Sequence, residues 1–238
     1  MLLSEINKKW NTYKEQYGLD SGVQIEEIRL DAAKGVDASF DFTELFSDQY
    51  ILHLNPEIHL YRSEYIDYIL WHEFTHLYDF LTQPFAYNVM RKIYLYLNTY
   101  SEYHASRRAL GRILQDIDLE RFDPEKQIIP AAFKDISLRD LISDTLYKAE
   151  LSRYYYRVHK TQQAFHIYLR YVMYLMGYAS HFKNAENIIR FCLEDLEEDL
   201  DVYLTLYQLM RDKDFFKILP HIDDIYKKAG LTFESSAD

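Results

Sequence analysis

The chain has 238 residues, with 48% apolar and 27% charged side chains, enough to bury a core as one large domain or two small ones. Glycine occurs 6 times, roughly a third of the usual ~7% share, proline 5 times and tyrosine 23 times, a balance that excludes a turn-rich all-β fold as well as collagen-like and disordered chains. A formal net charge of −11 disfavours nucleic acid and anionic membrane surfaces as partners, and the lone Cys192 excludes an internal disulfide or a cysteine-based zinc site.

Residues 2–17 set Leu2, Leu3, Ile6, Trp10, Tyr13 and Tyr17 at helical spacing, and Gly18 ends that helix. Val23 to Leu30 alternates around Val23, Ile25 and Ile28 and predicts a strand, followed by a turn over 31–37 and a short second strand at Ser39–Phe42. Gln49–Asn55 is a stronger strand, with Tyr50, Leu52 and Leu54 on one face, and Pro56 stops it. From Ser63 to Leu81 the period becomes helical through Ile66, Ile69, Leu70, Phe74, Leu77 and Leu81. Pro84 breaks the chain before a second long helix from Phe85 to about Leu114.

Residues 116–136, with Pro124 and Pro130, are expected to form a linker. Beyond it one stripe runs through Leu138, Leu141, Ile142, Leu146 and Ala149, and another through Phe165, Tyr168, Tyr171, Val172, Leu175 and Tyr178. Two or three shorter helices follow to about Ala229. The expected fold is α+β and mostly helical: a front unit over 1–115 that holds a small sheet, then an all-α unit over 137–238. The N-terminus has no apolar run of secretory type, and the longest stretch free of Asp, Glu, Lys and Arg, Tyr171–Phe182, is too short to span a membrane, so a cytoplasmic protein is expected.

Residues 72–76 read His-Glu-Phe-Thr-His. Two histidines four apart on a helix share a face one turn apart, so both rings can reach one cation. Zinc accepts imidazole nitrogen, and its catalytic sites use three protein ligands and keep one position open. Glu73 follows the first histidine, where a carboxylate can take a proton from water acidified by the metal. A metzincin would need glycine at 79 and histidine at 82, but the chain has Asp79 and Thr82. The third ligand is therefore sought on the next helix, where Glu102 and His104 compete and face nearly opposite sides. Asp79 shares the face of His72 and His76 and suits a carboxylate that accepts the second N–H of a ligating histidine. His53 and His59 read as structural or exposed.

The His-Glu-x-x-His helix after a strand, followed by Ser-Glu-x-x-Ala at 101–105, resembles the gluzincin-type zinc metallopeptidases, most of all the ImmA/IrrE-type group. The resemblance covers about residues 45–115. It implies a zincin-like front domain in which His72, His76 and Glu102 hold Zn2+ and Glu73 is the general base. It also implies a peptide or protein substrate. Ser106-Arg107-Arg108 departs from the family pattern. Ile51–Asn55 then reads either as an edge that holds an extended peptide or as an ordinary sheet strand. The tyrosine clusters read as helix packing or as the walls of a groove. The other functional reading is a non-enzymatic interaction module on a zincin-like fold.

Overall fold

The computed structural model describes residues 2–83, 87–114, 127–195, 200–211 and 215–231. Helix α1 (Leu3–Tyr17) forms where the apolar spacing predicts it, with Ile6, Trp10 and Tyr13 fully buried. Gly18 caps it in the left-handed conformation, φ 67°, which suits a residue without Cβ. The chain then runs back along α1 in an extended form. Trp10 Nε1 donates to the Val23 carbonyl at 2.9 Å, and the Asn7 side chain donates to the Ile25 carbonyl and accepts its N–H, both at 2.8 Å. Those bonds occupy backbone groups that a ladder would otherwise use. The strand expected from Val23 is therefore confined to β1 (Glu27–Arg29).

The small sheet holds β1, β2 (Ala38–Phe40) and β3 (Ile51–Leu54) in the order β1-β3-β2. A helical turn, α2 (Phe42–Leu45), precedes β3. Strand β3 pairs parallel with β1, Glu27 opposite Ile51, and antiparallel with β2, Ala38 opposite Leu54. The strand offered as a peptide-holding edge is thus the centre of the sheet. The two edges belong to β1 and β2, and β2 is the one beside α3. Asn55 N–H donates to the Asp37 carbonyl at 2.8 Å, so the 37/55 and 39/53 pairs carry the ladder. Ala38 and Phe40 therefore aim their N–H and C=O groups away from β3.

Helix α3 (Ser63–Thr82) follows, and α4 (Tyr87–Leu114) returns antiparallel to it: Asp67 meets Arg112 near one end and Asp79 meets Ser101 nearer the other. Pro84 lies outside the described residues. One side of α3 puts Trp71 and Phe74 against Trp10 and Tyr13 of α1 in a cluster of aromatic rings, and Tyr13 OH meets Thr75 Oγ1 at 2.8 Å. Beyond α4, residues 116–126 of the expected linker lie outside the described residues. The remainder of that stretch forms a hairpin of β4 (Ile128–Pro130) and β5 (Asp135–Ser137). Strands of three residues are too short for alternation to reveal them.

The helical half comprises α5 (Leu138–His159), α6 (Gln162–Ala179), α7 (Ala185–Asp195), α8 (Leu200–Arg211) and α9 (Phe215–Lys228). Ser137 and Asp140 form a reciprocal cap at the start of α5, and Thr161 accepts the Ala164 N–H at the start of α6. The fold is α+β and mostly helical. Cys192 is buried in the helical core, as a lone thiol on an apolar face should be. Tyr96, Leu97, Tyr100 and Tyr103 of α4 lie in that same core with α6, α8 and α9. Helix α6 approaches α4 closely because Gly177 lacks a side chain: a Cβ there would sit 2.0 Å from Ser106 Oγ and 2.7 Å from the Tyr103 carbonyl. Among the described residues no helix is long and apolar enough to cross a membrane.

Candidate metal centre

The unbroken period of α3 turns His72, Glu73 and His76 away from α1, and all three are buried. Their ligand atoms lie within 4.8 Å of one another, a group that can hold a metal ion. The antiparallel return of α4 brings Glu102 to the same point. Glu102 Oε2 lies 3.3 Å from His72 Nε2 and 3.5 Å from His76 Nε2, and the two ring nitrogens are 3.1 Å apart. Glu102 is 2% exposed, and its Oε2 has no hydrogen-bond partner among the described residues. A buried carboxylate oxygen left without a donor is costly, so this one is suited to a cation.

The other candidates from the sequence separate cleanly. His104, two residues along α4, faces away from the cluster and meets Asp79 Oδ1 through Nδ1 at 3.3 Å. Asp79 is 1% exposed and reaches the histidines through an intermediary, Ser101. Ser101 Oγ donates to Asp79 Oδ2 at 2.8 Å, and its lone pair faces His76 Nδ1 at 2.8 Å. An ionised carboxylate only accepts, so the serine proton is committed to Asp79 and His76 Nδ1 carries the hydrogen it donates to Ser101. With Nδ1 holding a hydrogen for Ser101, Nε2 is the nitrogen that can ligate a cation once the ring is neutral. His53 lies away from the centre between Asp31 and Glu44, 2.7 Å from each, and exposed His59 meets the Pro56 carbonyl.

Electrostatics follow from burial and one outside charge. Burial raises the Glu73 carboxyl to about 7, against the opposing pull of His76. Burial lowers His72 to about 4. Burial alone would raise Glu102, but the Arg170 guanidinium and His76 hold it well below the ordinary carboxylate range. Arg170 and Tyr174 come from α6. Arg170 Nε lies 2.9 Å from Glu102 Oε1 and 2.9 Å from Tyr174 OH, and the Tyr174 ring packs edge-on against His72 at 5.6 Å. Glu102 thus offers one oxygen to the arginine and the other to the histidines.

A cavity of about 320 Å³ opens on His72 and Glu73. Tyr65, Tyr68, Tyr171, Tyr174 and Tyr178 wall it, beside 35–38 of the edge segment. Tyr96, Tyr100, Tyr103 and Tyr168 are core residues instead. Sequence reasoning missed Ser101 and Arg170. A signal for the second exists: Arg170 is the one Asp, Glu, Lys or Arg between Lys160 and Lys183, and a lone charge in so apolar a helix needs a buried partner. No family model matches the chain, and neither a curated protein nor a solved structure does.

Proposed function

We propose that this protein is a zinc-dependent metallopeptidase in which His72, His76 and Glu102 hold the metal and Glu73 is the general base. The observation that carries this reading is the triangle of ligand atoms with sides 3.1, 3.3 and 3.5 Å. Bonds of 2.0–2.1 Å in a tetrahedron put neighbouring ligand atoms about 3.3–3.4 Å apart, so the triangle has the size of one face of a zinc site and leaves the fourth position open. Two imidazoles and one carboxylate are also the donor set of His₂Glu zinc sites. Bound there, zinc would supply Lewis acidity and lower the pKa of water toward 7.

The remaining work falls to the chain. Glu73 takes the proton from the attacking water and returns it to the leaving amine, and burial, which raises its carboxyl in the metal-free site, favours the protonated form that the second transfer needs. Ser101 and Asp79 hold His76 in the tautomer that ligation needs. The outward N–H and C=O groups of Ala38 and the outward C=O of Phe40 on β2 can hold an extended peptide beside Glu73 by main-chain pairing. The Phe40 backbone already lies close enough to hydrogen-bond the Glu73 carboxylate.

The test is metal analysis joined to one substitution. Protein purified without chelators should carry about one zinc per chain. Glu73→Gln should keep that zinc and lose hydrolysis of a mixed peptide library. Metal-free protein under those conditions, or a Glu73→Gln variant that cleaves like the parent, would overturn the reading.

A further inference from the structure

Within a chain of net charge −11, the cavity above the metal centre holds two cations, Arg170 and Lys148. Asp37, the acidic residue on the opposite wall, already accepts hydrogen bonds from the Tyr61 and Tyr65 hydroxyls at 2.9 and 2.8 Å. Arg170 is anchored at one end only. Its Nε meets Glu102 Oε1 and Tyr174 OH, while its two Nη groups make no hydrogen bond to protein among the described residues. Its side chain is 41% exposed, and the exposed part faces the cavity that also reaches His72 and Glu73. The guanidinium is thus pinned through Nε and presents its Nη fork to whatever fills the cleft. A planar fork of that kind matches a carboxylate with two parallel bonds. The cavity, about 320 Å³, sits at the small end of ligand pockets, which run from about 300 to 1,000 Å³.

Resting on the metallopeptidase reading, we infer that Arg170 determines specificity by receiving a carboxylate of the substrate, so that the protein acts on short peptides carrying a free carboxylate next to the scissile bond. Lys148, on α5 at the rim and paired with Asp144 at 2.7 Å, adds positive field without a fixed geometry. The carboxylate belongs either to the peptide C-terminus or to an acidic side chain. Both present the same planar anion, and the probes below separate them.

The measurement is calorimetric binding to zinc-loaded Glu73→Gln protein, which holds a peptide without turning it over. Three probes are compared: N-acetyl-Ala-Phe as the free acid, the same dipeptide as its carboxamide, and N-acetyl-Ala-Glu carboxamide. Preference for the first over the second, by about tenfold or more, identifies a C-terminal carboxylate, and preference for the third over the second identifies a side-chain one. Adding Arg170→Gln should bring both ratios to about one, and Arg170→Lys, which keeps the charge beside Glu102 but not the fork, should retain part of the preference. Equal binding of all three probes, or a preference that survives Arg170→Gln in folded protein, overturns the inference. A parent that shows no carboxylate preference but loses kcat for every peptide on Arg170→Gln also overturns it, because the arginine would then serve only the transition state. Zinc content is measured on the same samples. Absence of zinc from the Glu73→Gln protein itself counts against the metallopeptidase reading, while the acid-to-amide ratio, compared between Arg170 variants at equal zinc occupancy, decides the role of Arg170.

Discussion

The two sides of α3 and α4 are built in opposite ways. Toward α1 and the sheet the core is aromatic and pinned by side chains that bond to backbone or to each other, as Trp10 does to Val23 and Tyr13 to Thr75. Toward α6, α8 and α9 it is a helical core with Leu169, Val172, Met173, Met176 and Ile222 fully or nearly fully buried. Between them runs a polar seam. Among the described residues, and leaving aside tyrosine and tryptophan, every buried polar side chain except Lys14 and Thr145 sits on α3 or α4. A buried polar group is tolerated where partners satisfy it, and the antiparallel pair of helices is where His76, Ser101 and Asp79 link to one another and Asp79 also meets His104 Nδ1. The candidate site therefore lies where two cores meet. Each core holds one helix of the pair in place, and the helical half adds Arg170 from outside.

That contrast can be broken most directly at Gly177, where the helical half docks on the seam. A Cβ at 2.0 Å from Ser106 Oγ and 2.7 Å from the Tyr103 carbonyl can be relieved only by moving α6 from α4. Gly177→Ala should cost about 3 kcal/mol in denaturant unfolding and should lower metal affinity together with stability. Unfolding at the parent's midpoint would show that the two helices are not held as closely as the fold requires.

A smaller effect is expected inside the seam. Ser101→Ala keeps the volume of the site but removes the link between His76 Nδ1 and Asp79. Loss of such an outer partner typically weakens metal binding by about tenfold to a hundredfold, and a competition titration with a chelator should find the variant in that range. Unchanged affinity would mean that Ser101 does not set the His76 tautomer.

The smallest effect belongs to the sheet, remote from the seam. Burial lowers His53, but hydrogen bonds to Glu44 and Asp31 outweigh it and raise the histidine above its ordinary value. A raised folded value stabilises fully below the unfolded value, about 6.5, and the contribution is lost as pH rises through the folded value. His53→Gln should therefore cost up to about 1 kcal/mol at pH 5.5, discounted for the exposure of Asp31, and less at pH 8.5. Thermal melts at the two pH values check the sign. A loss that is larger at the higher pH would contradict this account.

Local order decided how much could be read without coordinates. The spacing of His72, Glu73 and His76 is a property of one helix, so the sequence carries it whole. Glu102 needed the return of α4, which a periodic pattern after Pro84 suggests but whose register it does not fix. The rank of β3 in the sheet was illegible, because centre or edge depends on which strands flank it and not on its own alternation. The partnership of Ser101 with Asp79, and the arrival of Arg170 beside Glu102, join residues 22 and 68 positions apart. No local pattern encodes those contacts.

The sequence by itself determined a mostly helical chain, the two histidines and one glutamate of a single helix face, and the absence of any cysteine ligand set. Tertiary structure alone decided that Glu102 and not His104 lies beside the two histidines, that β3 is central and β2 an edge, and that an arginine from the helical half lies against the Glu102 carboxylate. The physical reason is range. Helical periodicity fixes directions over a turn or two, whereas a metal centre is closed by side chains that only the packing of one core against another brings within a few ångströms.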